Sequence, residues 1–405
     1  MPMYNFIFII LHPFHHINFY LSTLHNLETQ TKPNNNGNSS GGVIMQFSRT
    51  QLFFVLILFI GISNHVLIMP HLLTTGKRDA WICVLVSYGF LLFWGFILHL
   101  IMKKNQQRLY LYDWIKARAG VIISRIFICI LVAYVFAISA ISFYDLVQSI
   151  NIYFLPRTPS FVVMLPFLLI SAWSAYSGLK SIVSVSAILL PFVWMLGIFV
   201  AWFTMNEKDY SYLFPILVDG YDPVIKGTII ILGGSADLLV LLLLQHHLKK
   251  SFSFLHLFFL ITILAGLILG PTMGSLSSFG PAVASDMRFP AFEQWRLITL
   301  GEYISHVDFL AVFQLLSGEI IRVSLGLYLL ADMVKSHTMP SRKKHVFAIF
   351  AILLGLLTLV PLSDMWVQTI IGRYFYPVAF ISAVFISLAL LIISHLPMKK
   401  GIQNI

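Results

Sequence analysis

Two short polar interruptions inside long apolar runs carry the chemistry this sequence offers. The first is Gly61-Ile62-Ser63-Asn64-His65, set between the apolar residues 52–60 and 66–69. The second is Gly233-Gly234-Ser235-Ala236-Asp237, set between 229–232 and 238–244. Each surrounding run is long enough to cross a bilayer, which takes about 20 mostly apolar residues. Glycine inside a helix costs about 1 kcal/mol relative to alanine, so both stretches are expected to break their helices. Backbone N–H and C=O groups freed at such a break cannot be paired by lipid and must line a cavity or be buried in protein. Membrane transporters hold small polar substrates near mid-bilayer in this way. A substrate carboxylate can be gripped by N–H groups where a half-helix begins, at Ser63-Asn64, and an ammonium by carbonyls or by Asp237. The candidate binding set is therefore Gly61, Ile62, Ser63, Asn64, Gly233, Gly234, Ser235 and Asp237, and the chemistry is recognition of a small zwitterion. Asp237 fits two roles equally: orienting a substrate ammonium or cation, and capping the second half-helix.

Other ionisable groups lie in apolar runs, where a charge costs at least about 2.5 kcal/mol and faces the bundle interior. Glu319 and Arg322 are three residues apart, on one helical face, and are expected to form an intramembrane ion pair with a structural or gating role. Asp145 and Arg125 fall near the ends of one run. His246-His247, followed by Lys249-Lys250, reads as an interfacial helix end and not as a metal site. No His-Glu-x-x-His zinc helix, phosphate loop with Gly-Lys-Ser/Thr, or Gly-x-Ser-x-Gly elbow is present, so nothing argues for catalysis or a cofactor.

The elements that must position these residues follow from composition. Of 405 residues, 58% are hydrophobic and only 10% charged, against roughly 25% charged in soluble domains. The class is all-α and polytopic. Ten spans are read near 50–74, 80–102, 120–148, 160–177, 181–204, 224–247, 253–277, 303–333, 344–362 and 370–395, with a short interfacial helix carrying Trp114 between the second and third. Breaks in the first and sixth of ten spans are what a five-plus-five inverted repeat requires. The net charge of +10 needs no nucleic acid, because basic cytoplasmic loops produce such an excess. Lys103, Lys104, Arg108, Lys116, Arg118, Lys249 and Lys250 outweigh Lys77, Arg78, Arg157 and Lys208, which places both termini in the cytoplasm. Cys83 and Cys129 sit in apolar runs, so no disulfide is expected. Residues 1–44 include a low-complexity polar stretch, 29–42, of linker composition. Gly41-Gly42 ahead of Met45 is what translation of a ribosome-binding site would give, so translation is expected to begin at Met45. The membrane domain is read as 45–400, with a short tail at 401–405.

The order of several short motifs resembles a known family. They are Ser48-Arg49-Thr50-Gln51-Leu52-Phe53-Phe54, the Gly61-Ile62-Ser63 break, Asp79-Ala80-Trp81, Leu213-Phe214-Pro215-Ile216-Leu217 followed by Gly220, and Gly301-Glu302-Tyr303. Together they are similar to the spore-germination permease family, the B subunits of endospore nutrient receptors, within the amino acid–polyamine–organocation superfamily. The resemblance covers essentially all of 45–400. It implies the broken-helix inverted repeat and recognition of a small germinant, often an amino acid. It also implies assembly with a receptor A subunit and a lipoprotein C subunit in the inner membrane of the spore. The different reading is a secondary amino acid transporter coupled to protons or sodium, which needs the same cavity. Two positions depart from the family pattern: Gly178-Leu179-Lys180, where Gly-x-Glu is usual, and His306-Val307-Asp308, where Arg-x-Glu is usual. They imply a divergent member whose germinant differs.

Overall fold

The structure is a computed structural model that describes residues 45–299, 307–334 and 340–398, without the side chains of 340–344. The expected extension 1–44, the Gly301-Glu302-Tyr303 motif, His306 and the tail 401–405 lie outside the described residues.

The described residues form twelve helices, short 3₁₀ turns between them aside. Helix α1 runs through three windings, Arg49–Ile62, Ser63–Leu67 and Ile68–Gly76, and α2 is Ala80–Lys104. Short α3 is Leu111–Ala119, then come α4 (Val121–Tyr153), α5 (Ser160–Tyr176) and α6 (Leu179–Phe203). Helix α7 is Asp222–His247 and α8 is Phe254–Asp286. Short α9 is Pro290–Arg296, followed by α10 (Phe309–Met333), α11 (Pro340–Leu359) and α12 (Asp364–His395). Among the described residues seven helical stretches are long and apolar enough to cross a membrane. One of them, Arg49–Lys104, has 56 residues, roughly 84 Å if straight, which far exceeds a hydrocarbon core of about 30 Å. It is divided at Lys77, whose φ of 48° and ψ of −128° no helix accepts, and so supplies two spans. With the shorter apolar helices Ser160–Tyr176 and His345–Leu359, the described residues hold ten apolar helical segments, at the places read from the sequence. The fold is all-α and polytopic.

Local sequence explains the boundaries that matter. Ser48 caps α1: its hydroxyl accepts the Gln51 N–H at 3.2 Å, and the Gln51 side chain accepts the Ser48 N–H at 2.9 Å. This reciprocal pairing is why Ser48-Arg49-Thr50-Gln51 starts a helix. At the far end, both carboxylate oxygens of Asp79 take the Leu217 N–H at 3.1 Å, so two motifs 138 residues apart meet. Phe47 pairs with the chain just past α7, its N–H donating to the His247 carbonyl at 2.7 Å and its carbonyl accepting from Lys249 at 2.9 Å.

Burial ranks the spans. In α7, 94% of the most apolar stretch is buried, against 28% in α4. Helices α1 and α7 therefore form the centre, while α2, α4, α5 and α12 turn Phe90, Phe93, Ile122, Trp173 and Ile381 outward, as lipid contact requires. Trp114 is buried in the protein, with the Arg118 guanidinium 5.1 Å above its ring. Gly266, Gly270 and Gly274 are spaced four residues apart on α8, a pattern that lets helices approach closely, but only Gly274 makes a close contact, against Gln294; Gly266 and Gly270 face open space.

Glycine has a different use in α7. A Cβ on Gly233 would lie 2.1 Å from the Tyr376 carbonyl oxygen of α12, and one on Gly234 the same distance from Ile68 of α1. Gly233→Ala should cost about 1–3 kcal/mol by overpacking, whereas Gly266→Ala should be neutral or slightly stabilising. Thermal unfolding of the two variants in nanodiscs measures this; equal behaviour would contradict the close-approach account.

Candidate functional site

Both central helices leave α geometry at the residues singled out in the sequence. In α1, Ser63–Leu67 is a π turn: Ile68 N–H bonds the Ser63 carbonyl five residues back. The Ser63 N–H bonds Ile60, so the Phe59 carbonyl is left for another donor. In α7, Ser235–Leu239 is a 3₁₀ turn between the α segments Asp222–Gly234 and Val240–Leu244. The chain stays helical through both places, because neighbouring side chains take up the carbonyls. Arg322 of α10 donates to Phe59 O at 2.6 Å, the His65 ring nitrogen lies 2.6 Å from Gly61 O, and Tyr376 donates to Leu67 O at 3.2 Å. The expectation of naked peptide groups is corrected at these carbonyls: protein side chains already bind them.

Arg322 is the hub. Its guanidinium donates to Asp237 Oδ2 at 2.6 Å as well as to Phe59 O, and sits 4.8 Å over the Phe59 ring. Asp237 Oδ1 accepts from the Tyr134 hydroxyl at 2.7 Å. One buried network thus joins α1, α4, α7 and α10. The Glu319–Arg322 pair expected from their spacing is not what forms. Arg322 turns to Asp237 because that carboxylate and the orphan Phe59 carbonyl lie together across the helix interface, while Glu319 accepts from the Ser142 hydroxyl of α4. Asp237 lies inside the 3₁₀ turn and makes no side-chain cap. Its charge is met by Arg322, so an ammonium could reach it only by displacing the guanidinium.

The remaining sequence-chosen residues are close by and buried. Ser63, Asn64 and Ser235 are shielded from solvent, and Ile62 packs against Gly318. The Asn64 side-chain oxygen and the Ser235 hydroxyl have no hydrogen-bond partner among the described residues. Gly61 faces Leu267 of α8. The structure therefore gathers these residues at one level of the bundle, in a closed arrangement.

Open space lies beyond them, toward the Lys77 end. A cavity of about 940 Å³ is walled by α1 past its π turn (His71, Thr74, Thr75) and by the first half of α7 (Lys226, Ile229, Ile230). Residues 285–288 and α12 (Asp364, Gln368, Thr369, Arg373) complete it. None of the eight candidate binding residues is in its wall. Arg288 bridges Asp364, at 2.8 Å, and the buried Asp145 of α4. Burial opposes the Arg288 charge, but the two carboxylates more than offset it, so its pKa lies above the usual guanidinium value. A second hollow of only about 50 Å³ touches His65, Ser149 and Gln314. The cavity wall thus presents cations and anions together, the pairing a zwitterion needs.

The family profile described as spore germination protein matches residues 46–365. The chain belongs to that family. Spore germination protein XB of Bacillus anthracis is 34% identical over 342 residues, 84% of this chain and 96% of the relative. Spore germination protein KB of Bacillus subtilis (strain 168) is 23% identical over 324 residues, 78% and 84% of the two chains. Spore germination protein A2 of the same organism is 24% identical over 203 residues, 49% and 55%. A germination-related membrane protein is the identity these likenesses support.

Within this spore germination protein, several site groups escaped sequence reading. Tyr134 and Tyr376 carry no charge signal in apolar runs. Asp145 stands out in sequence only as an acid near a helix end, and nothing there couples it to Arg288; their pairing across 143 residues is a tertiary fact. The π turn Ile371–Phe375 in α12 does contain a readable Gly372, which lets His71 approach to where a Cβ would be 2.7 Å away.

Removing one partner of a buried pair leaves an uncompensated charge, typically at about 3–5 kcal/mol. Asp237→Asn and Arg322→Met should each lower the chain's abundance and unfolding temperature sharply, and the double variant should recover much of the loss. Unfolding followed in nanodiscs reads the coupling; simple additivity would contradict the pairing.

Proposed function

We propose that this chain is the germinant-sensing integral membrane subunit of a spore nutrient receptor. It binds a small zwitterion, an amino acid by class, through the cavity between α1, α7 and α12. Its partners in this reading are a receptor A subunit and a lipoprotein C subunit, and its location is the spore inner membrane. The observation that carries the reading is a cavity of about 940 Å³ with charges of both signs, adjoining both central helices next to their winding changes. That volume falls at the upper end of small-molecule sites, roughly 300–1,000 Å³, so an amino acid fits with water to spare. With both termini cytoplasmic, as the basic residues imply, the cavity faces outward, the side from which a nutrient arrives.

The buried candidates then belong to a second stage. Ligand in the cavity touches α1 between His71 and Thr75 and α7 around Ile229, and shifts those halves against the network at Phe59, Asp237 and Arg322. The Asn64 side-chain oxygen and the Ser235 hydroxyl, buried without partners among the described residues, are groups that such a shift would bring into use. Ligand moves an equilibrium only by its differential affinity for two arrangements, and the two winding changes supply flexible points between them. The pairing of Asp237 with Arg322 favours sensing over ion-coupled transport. A carboxylate neutralised by a permanent guanidinium is a poor site for a proton or sodium ion.

Spores carrying Thr75→Trp, which fills the cavity from α1, should need at least about tenfold more of the activating nutrient, with the chain's membrane abundance unchanged. Germination measured over a nutrient panel tests this. A wild-type response from that variant would remove the cavity from the account.

A further inference from the structure

At the Lys104 end of the bundle, opposite the cavity, three metal-ligating side chains converge. We propose that His246, His247 and Asp332 form a zinc site joining the end of α7 to the end of α10. The two histidines lie on the closing 3₁₀ turn of α7, Gln245–His247, and Asp332 lies one residue before α10 ends. All three are buried, and one ligand atom from each falls within 4.8 Å of the others. His246 Nε2 is 3.4 Å from Asp332 Oδ2. Tetrahedral zinc with bonds of about 2.0–2.1 Å spaces its ligands roughly 3.3 Å apart, so that pair already has the required separation. The third ligand lies within 4.8 Å of the other two and must move inward to complete the set.

The surroundings prepare these groups for a metal. His246 Nδ1 has no hydrogen-bond partner among the described residues, and Nε2 faces only the Asp332 carboxylate at 3.4 Å, without hydrogen-bond geometry, although the ring is 4% exposed. A buried imidazole left so is costly unless something binds its lone pair. Tyr110 stacks on that ring at 3.9 Å and holds its orientation. His247 Nδ1 lies 3.3 Å from the Met45 carbonyl, and its Nε2 lies 3.0 Å from the Tyr328 hydroxyl. With Nδ1–H donated to the Met45 carbonyl, the Nε2 lone pair accepts from the Tyr328 hydroxyl; a metal would take that lone pair in place of the hydroxyl, with the carbonyl fixing the tautomer as an outer partner does for a ligating histidine. Two imidazoles and one carboxylate suit zinc, whereas calcium and magnesium require oxygen cages. Water or the Tyr328 phenol completes the four. The pattern was invisible in sequence because Asp332 is 85 residues from His247. Metal here would clamp the two helices whose mid-membrane residues, Asp237 and Arg322, already pair.

The test is elemental analysis of the full-length chain in nanodiscs, purified without a histidine tag, equilibrated with buffered zinc and desalted. About one zinc per chain is expected for the wild type, falling at least about tenfold in both Asp332→Asn and His246→Gln. Cobalt-loaded wild type should show the visible bands of a tetrahedral centre, and both variants should lose them. A monodisperse wild type that retains no zinc overturns the proposal and leaves a plain buried Asp–His pair. Variants that keep the wild-type zinc content overturn it too, since the metal then sits elsewhere, for example on histidines of residues 1–44.

Discussion

A guanidinium buried in the middle of a membrane protein must be answered at once by an anion and by acceptors for its hydrogens, and Arg322 sets the terms for the rest of this fold. Its two strongest contacts, Asp237 and the Phe59 carbonyl, come from the two helices that depart from α winding. Without the π turn at Ser63–Leu67, the Ser63 N–H would keep the Phe59 carbonyl within the α1 ladder. Without the 3₁₀ turn, Asp237 would be rotated relative to its neighbours on α7. Irregular winding and buried charge are thus one arrangement: each supplies what would otherwise be unsatisfied in the other. Tyr134 fixes the second carboxylate oxygen and brings in α4.

The arrangement separates two tasks. At mid-bundle the polar groups are turned on each other and closed, while the cavity near the Lys77 end keeps exposed charge of both signs beside the same two helices. Tyr376 lies between the two regions. It donates to Leu67 O, its ring meets His71 edge-on at 5.4 Å, and its backbone occupies the space Gly233 leaves open. A disturbance on the cavity side can reach the Arg322 network through this one residue and the helix halves it touches. That is a geometry for passing on the presence of a ligand, consistent with a receptor subunit that need not carry its ligand across.

Much of this was legible in the chain. Apolar run lengths gave ten segments, and the Gly-Ile-Ser and Gly-Gly-Ser interruptions marked where α1 and α7 change winding, because glycine and small polar residues are poor helix interior. What glycine was doing there was not legible: Gly233 and Gly234 exist for the approach of Tyr376 and Ile68, a property of partners far away in sequence. The choice of Arg322's partner was missed for a related reason. Spacing along one helix shows which side chains share a face, and Glu319 qualifies, but a buried cation selects by total satisfaction, and only Asp237 comes with a free carbonyl beside it. The cavity was displaced from its expected level because carbonyls freed by the winding changes were taken by protein groups, leaving only a hollow of about 50 Å³ at His65 and the larger open volume about a turn or two further along α1.

The account stands on a nutrient occupying the cavity from the side opposite the termini. The direct measurement is labelling of Thr369→Cys, in a Cys129→Ser background, with a membrane-impermeant maleimide on sealed vesicles of known orientation. Thr369 is exposed in the cavity wall and the native Cys83 is buried, so the label reports one position. The account predicts labelling from the face opposite the termini and strong protection by the activating nutrient, with no protection by an inactive analogue. Labelling that proceeds at the same rate with and without that nutrient would contradict it.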